Sequence, residues 1–120
     1  MESFEVESCV RGYHVYLDIW DVVVGENLHC ERDPTNAADM YAVSVIKDGV
    51  VVGHLPKKIS RLCSLFIRRG GIITCRPTGR RRHSSDLPQG GLEIPCLLIF
   101  DGEAQEIKKL IKLSTDLSLF

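Results

Sequence analysis

Residues 31–55 read ERDPTNAADMYAVSVIKDGVVVGHL and contain the clearest folding signals of the chain. Two runs rich in β-branched residues, 41–46 and 50–55, flank the dipeptide Asp48-Gly49. A type I′ turn requires positive φ at both central residues, and Asp-Gly is a favoured pair at those positions. The segment therefore predicts a β-hairpin.

A polar turn precedes the hairpin. Asp33-Pro34-Thr35-Asn36 combines a proline, which fixes φ, with Asp and Asn side chains that bond to their own backbone. Asp39 follows within the same turn, where a carboxylate either caps the backbone or faces a ligand. The residue types alone leave both roles for Asp39 open.

The remaining chain predicts short strands and two amphipathic helices. Apolar residues alternate near the N terminus, as in a half-buried strand. Pro95 interrupts a later apolar run and predicts a sheet edge or a bulge there. Trp20 is expected to plug the core. The predicted helices span about 56–69 and 103–113 and flank a polar loop at 77–91, which contains Arg80, Arg81 and Arg82.

These elements predict a mainly β fold, a small OB/SH3-like β-barrel with two α-helices. The length of 120 residues is typical of one domain. We assign 1–113 to that domain and 114–120 to a short C-terminal tail.

Composition narrows the class of protein. No apolar run is long enough to span a membrane, and the acidic N terminus does not resemble a secretory signal. The five cysteines are widely spaced and form no Cys-x-x-Cys pair, which predicts buried, reduced thiols and no metal site. We therefore expect an intracellular protein, of nuclear location, without a cofactor.

The charges are unevenly distributed, although the net charge is only −1. Residues 1–48 are acidic, whereas residues 49–85 contain no acid. Such a basic block is typical either of a phosphate-binding face or of a solvated helix and loop. Its members are Lys57, Lys58, Arg61, Arg68, Arg69, Arg76, Arg80, Arg81 and Arg82.

Three segments together resemble the HIRAN domain family: the turn at 32–39, the strand beginning Ala42-Val43, and the end Gly53-His54-Leu55-Pro56. Residues 12–16 and 92–95 also lie where this family has matching segments. HIRAN domains occur in helicase-like fork-remodelling ATPases, where the family's OB-type barrel captures the 3′ end of single-stranded DNA. The resemblance implies a DNA-binding module without ATPase activity.

Site residues follow from the resemblance position by position. Asp39 matches the acid that recognises the terminal 3′-hydroxyl, and Asn36 belongs to the turn that holds it. His54 and Lys57 match positions at the phosphate backbone, and His14 lies where the family has a basic residue. Further candidates for contact with the strand are Tyr13, Tyr16, Tyr41, Arg80, Arg81 and Arg82.

The sequence departs from the family at three aromatic positions, which are occupied here by Ala38, Val15 and Leu92. Base stacking on an aromatic ring contributes about 1–3 kcal/mol per base. Tyr41, Tyr13 and Tyr16 lie close by in sequence as alternative rings. The loss of the usual platforms keeps a second function open.

That alternative is a protein-interaction or self-association module, docking a partner through an exposed Trp20 or an open strand edge near Pro95. An enzyme is the third class considered. The sequence contains no recognised nucleophile–base signature, so we predict a binding module and no catalytic residues.

Overall fold

The computed structural model describes residues 1–12, 20–84 and 91–120. Within them, the strands are β1 (Glu2–Val10), β2 (Leu28–Arg32), β3 (Val43–Lys47), β4 (Val50–His54), β5 (Ile72–Pro77), β6 (Arg82–His83) and β7 (Leu92–Gly102). The helices are α1 (Lys57–Arg68) and α2 (Ala104–Asp116). The mainly β fold with two helices is therefore confirmed, and α2 ends three residues later than predicted.

The described strands form one antiparallel sheet in the order β1-β7-β5-β2-β3-β4, and β6 pairs with the free half of β7. A backbone bridge joins the residue after β1 to the last residue of β4. The Arg11 amide donates to the His54 carbonyl at 2.7 Å, and the His54 amide donates to the Arg11 carbonyl at 2.9 Å. The sheet thus curls into the partly closed, OB-like barrel that the sequence predicted.

Strand β7 is interior, so the prediction of a sheet edge at Pro95 is wrong. It pairs with β1 along one side and with β5 and then β6 along the other. The Pro95 carbonyl accepts the Thr78 amide at 2.9 Å on the β5 side. The proline nitrogen points to that same side, between the last pair with β5 and the first with β6, so the missing donor interrupts neither ladder.

The hairpin prediction is confirmed in detail. Asp48 and Gly49 have φ values of 50° and 80°, and Lys47 pairs with Val50 across the two-residue turn. These are the positive φ values that a type I′ turn requires.

The core lies between the curled sheet and the two helices, with α1 against β2 and β5, and α2 against β1 and β7. Phe100 of β7 is fully buried. The Phe66 ring of α1 packs edge-on against it, with 5.4 Å between the two ring centres. Trp20 is 1% exposed, which confirms its predicted core position. Leu119 packs against the core, and the Phe120 ring lies 6.3 Å from that of Phe100.

All five cysteines are free and buried, as the sequence predicted. Burial is the main reason why the pKa of Cys9 is raised from 9.0 to about 11 and that of Cys63 to about 12. These thiols therefore remain protonated in the folded chain at pH values where they ionise in the unfolded chain.

A substitution of Gly53 tests the close approach of β4 to β1. A Cβ atom at Gly53 would lie 2.4 Å from Val10 Cγ1 and 2.9 Å from the Arg11 carbonyl oxygen. Gly53→Ala is therefore expected to lower the free energy of unfolding, measured by urea denaturation, by about 1–3 kcal/mol. Gly49→Asn is the control, since Gly49 has open space and Asn tolerates positive φ. Equal stability of Gly53→Ala and the parent chain would contradict this account of the barrel.

The buried thiols predict a loss of stability at alkaline pH. A folded-state pKa above the unfolded value stabilises the fold fully below the unfolded pKa, and this contribution is lost as pH rises towards the folded value. The urea midpoint should thus fall between about pH 9 and about pH 11, and less steeply in Cys63→Ala. A midpoint that rises over this interval, or a slope unchanged by Cys63→Ala, would show that thiol ionisation is not responsible.

Candidate nucleic-acid interface

The turn between β2 and β3 is held by the side chain of Asn36. Its Oδ1 accepts the amides of Ala38 at 2.9 Å and Asp39 at 3.2 Å. The Asp33 amide donates to the Ala42 carbonyl at 2.8 Å and closes the base of the turn. Asn36 therefore fixes the backbone from which the Asp39 side chain projects.

Asp39 is both a backbone cap and a half-exposed carboxylate. Its Oδ1 accepts the Tyr41 amide at 2.9 Å, and its carbonyl accepts the Ala42 amide at 3.0 Å. Within the described part of the chain, Oδ2 has no hydrogen-bond partner. One oxygen thus orients the carboxylate while the other remains able to accept a hydrogen bond from a ligand.

The ring of Tyr41 is packed against α1. The Arg61 guanidinium lies 5.6 Å from the centre of the half-buried ring. An arginine over an aromatic face is attracted by the negative charge of the π cloud. Tyr41 therefore already has a stacking partner within this chain.

The end of β4 lies near the Asp39 turn and brings His54 towards it. His54 pairs across the sheet with Ser44, and the Leu55 amide donates to the Val43 carbonyl at 3.0 Å. Val43 follows the turn directly, so this hydrogen bond places the end of β4 next to the end of the turn. His54 is half-buried and interacts with neighbouring residues.

Lys57 is exposed and is the first residue of α1. Pro56 precedes it at the helix N terminus, where no side chain caps the helix and the first turn contains no acid. The unpaired amides of a first helical turn favour anions, and Lys57 adds a full positive charge beside them. This corner of the surface suits a phosphate group.

The three arginines of the loop divide into two kinds. Arg82 lies on β6 and its Nε contacts Glu93 Oε2 at 3.0 Å, whereas Glu93 itself is only 5% exposed. Arg80 and Arg81 are exposed and line a shallow depression with Asp21, Val22 and Val24. Arg82 therefore serves the fold, and Arg80 and Arg81 remain accessible.

Glu93 also anchors Arg11, which sequence reasoning did not single out. Arg11 Nη2 lies 3.7 Å from Glu93 Oε1, and Arg11 Nη1 donates to Ser84 Oγ at 3.3 Å. Two arginines that are distant in the sequence thus share one buried carboxylate. The only local signal for this cluster is an acid within the apolar run 92–100.

Three predicted contact residues, Tyr13, His14 and Tyr16, lie outside the described residues, as does Val15. Among the other departures from the family pattern, Ala38 is exposed on the turn, while Leu92 is half-buried and packs against the core. The described residues contain no cluster of His, Cys, Asp and Glu suited to a metal ion. None of the described helices has the length and apolar character needed to cross a membrane.

Known proteins share both the sequence pattern and the fold of this chain. The sequence matches the family of the HIRAN domain over residues 1–89. No curated protein matches the chain. Three solved structures are similar in fold, and two of them are HIRAN domains of HLTF.

A crystal structure of the HIRAN domain of human HLTF superposes with a TM-score of 0.75 at 20% identity, covering 94% of this chain and 88% of that one. An NMR structure of the HLTF HIRAN domain gives a TM-score of 0.68 at 20% identity, covering 95% and 88% of the two chains. A crystal structure of a protein from Lactobacillus plantarum gives 0.55 at 16% identity, covering 83% and 100%. The family match extends over most of the sequence, and the chain belongs to the HIRAN domain family.

Proposed function

We propose that this domain binds single-stranded DNA and recognises its free 3′-hydroxyl end. The observation that carries the proposal is the Asp39 carboxylate, held in place through Oδ1 and open to a ligand at Oδ2. Membership of the HIRAN family supports the choice of ligand class. The end-recognition role of Asp39 follows from the resemblance of the turn at 32–39 to the family pattern.

Hydrogen bonding and charge would distinguish the two kinds of strand end. A terminal hydroxyl can donate a hydrogen bond to Oδ2, whereas a terminal phosphate has no comparable donor at neutral pH and repels the carboxylate. Asn36 supports this selection indirectly, since its two hydrogen bonds hold the turn that positions Asp39.

Phosphates further along the strand would be held by the basic surface around the turn. Lys57 and the first amides of α1 offer one anion site beside His54. Arg80 and Arg81 extend the positive charge to a second region. Phosphate contacts of this kind give an affinity that falls steeply with added salt.

Base stacking is expected to contribute less than in family members with all three aromatic positions. Ala38 has no ring, Leu92 packs against the core, and Tyr41 is engaged by Arg61. Charge therefore has a larger share in the proposed binding, and the salt dependence should be correspondingly marked.

The role of Asp39 is tested with two fluorescent oligonucleotides that differ only in a 3′-hydroxyl or a 3′-phosphate. The parent chain should prefer the hydroxyl end in fluorescence anisotropy titrations at low salt. Asp39→Asn removes the charge and retains an oxygen for the Tyr41 amide, so the preference should shrink by about tenfold.

Asp48→Asn provides the matched control for this experiment. It makes the same charge change in the hairpin turn, where Asn is equally acceptable at positive φ. Equal affinity of the parent chain for both ends would rule out the proposed role of Asp39. No measurable binding of either oligonucleotide at low salt would rule out DNA binding itself.

The division among the three arginines gives a second prediction. The double variant Arg80→Ala, Arg81→Ala should bind single-stranded DNA more weakly and reduce the slope of log affinity against log salt by about 1–2. The fold should be unaffected because both side chains are exposed. Anisotropy titrations at several salt concentrations measure the slope.

The control for the arginine experiment removes the same charge elsewhere. Lys108→Ala, Lys112→Ala changes two exposed lysines of α2, away from the proposed surface. An equal loss of slope in both double variants would mean that only overall charge matters, contrary to a contact by Arg80 and Arg81.

A further inference from the structure

The two helices of the domain enclose an apolar groove on the surface. Helix α1 and helix α2 are antiparallel, since Lys58 at the start of α1 lies beside Leu117 at the end of α2, and Arg69 beside Glu106. Depressions at the two ends share Leu62, Leu65 and Leu113, so they form one continuous floor.

The floor is unusually apolar for a surface that faces solvent. Leu113 is 41% exposed and Leu117 is 61% exposed, and both lie beside the half-buried side chains of Leu62 and Leu65. Contiguous exposed leucines of this kind mark a docking surface more often than scattered single residues do. The depression at the Leu117 end has a volume of about 340 Å³, and the one at the Arg69 end is much shallower, with about 30 Å³.

The rim of the groove is basic. Lys58 and Arg61 border one end, and Arg69 and Lys109 border the other. Glu106 is the one acid among the lining residues of these two depressions. Its Oε2 lies 3.8 Å from Arg69 Nη1 and its Oε1 lies 3.9 Å from Lys109 Nζ. The rim thus carries a surplus of positive charge around an apolar floor.

We propose that this groove binds an acidic amphipathic helix of a partner protein. The α1 wall from Lys58 to Arg69 spans about three helical turns, or roughly 16 Å at 1.5 Å per residue. A partner helix of that length can place leucine-like side chains at i, i+3 or i+4, and i+7 on the floor and carboxylates against the rim. The interaction is independent of the proposed DNA function.

Charge disfavours the other occupants of the groove. A second copy would bring one basic rim against another, which costs energy instead of stabilising a dimer. A nucleic-acid strand would satisfy the rim and leave the leucines of the floor without apolar contacts. Only an occupant that is apolar on one face and acidic on its flanks complements both parts.

A synthetic peptide of about 14 residues tests the groove, with leucine at the i, i+4 and i+7 positions of one face and glutamate flanking them. The labelled peptide is titrated with the full 120-residue chain at low salt. The same peptide with every glutamate replaced by glutamine should bind at least about fivefold more weakly, because it lacks the charges that meet the rim.

Two exposed residues of α2 provide a matched pair of variants. Leu113→Glu places a charge on the floor and should weaken peptide binding by about tenfold or more. Ile111→Glu makes a similar change on the same helix, since Ile111 is 40% exposed and lines neither depression. Its affinity for the peptide should stay within about twofold of the parent value.

The rim is tested by Lys58→Glu against Lys112→Glu, both at exposed lysines of which only Lys58 lines the groove. The first should weaken binding several-fold more than the second at low salt. Thermal unfolding of each variant, followed by circular dichroism, confirms that the compared proteins are folded.

Several results would overturn the proposal. The acidic peptide would fail to bind, the glutamine peptide would bind as tightly as the acidic one, or Leu113→Glu and Ile111→Glu would weaken peptide binding equally; each result contradicts the proposal.

Other results would identify a different occupant. A dimer in sedimentation experiments that Leu113→Glu abolishes would assign the groove to a second copy. A loss of single-stranded DNA binding in Leu113→Glu but not in Ile111→Glu would assign it to nucleic acid. Failure of DNA binding in the parent chain, with peptide binding intact, would affect only the proposed function.

Discussion

The backbone bridge between Arg11 and His54 is the constraint on which the functional surface depends. It joins the end of β1 to the end of β4 and curls an otherwise open sheet towards a barrel. The two strands can meet because Gly53 has no side chain, leaving room for Val10 and the Arg11 carbonyl. This closure brings the end of β1 to His54, and the pairing of β4 with β3 places His54 and the start of α1 near the turn that holds Asp39.

A buried carboxylate extends the same organisation to the other side of the barrel. Glu93 on β7 holds Arg11 beside the bridge and Arg82 on β6. Removing both arginines would leave the buried Glu93 carboxylate without a charged partner, which is costly. The pairing therefore holds one end of the arginine loop in place, and leaves Arg80 and Arg81 directed to the surface. Of the three consecutive arginines, Arg82 therefore stabilises the fold, whereas Arg80 and Arg81 are accessible to a ligand.

The domain presents two chemically different surfaces. The first is formed by the turn of Asp39 and the end of β4, and it carries the carboxylate proposed to bind a strand end. The groove between the helices combines an apolar floor with a basic rim. Helix α1 borders both, since it begins directly after the end of β4 and its residues Lys58 and Arg61 line the groove. Two ligands could therefore occupy neighbouring parts of one small domain.

Local chemistry in the sequence determined the hairpin at Asp48-Gly49, the turn after Arg32 and the apolar stripe of α1, because each depends on φ preferences or periodicity within a few residues. Similarity of pattern indicated the family and the candidate role of Asp39. The tertiary structure alone decided that β7 is interior despite Pro95, because its pairing partners come from three distant segments. It also decided that Arg82 is bound by Glu93, that Arg61 covers Tyr41, and that leucines of two helices meet in one groove. Contacts between residues far apart in the chain leave no periodic or local signal, and only folding brings them together.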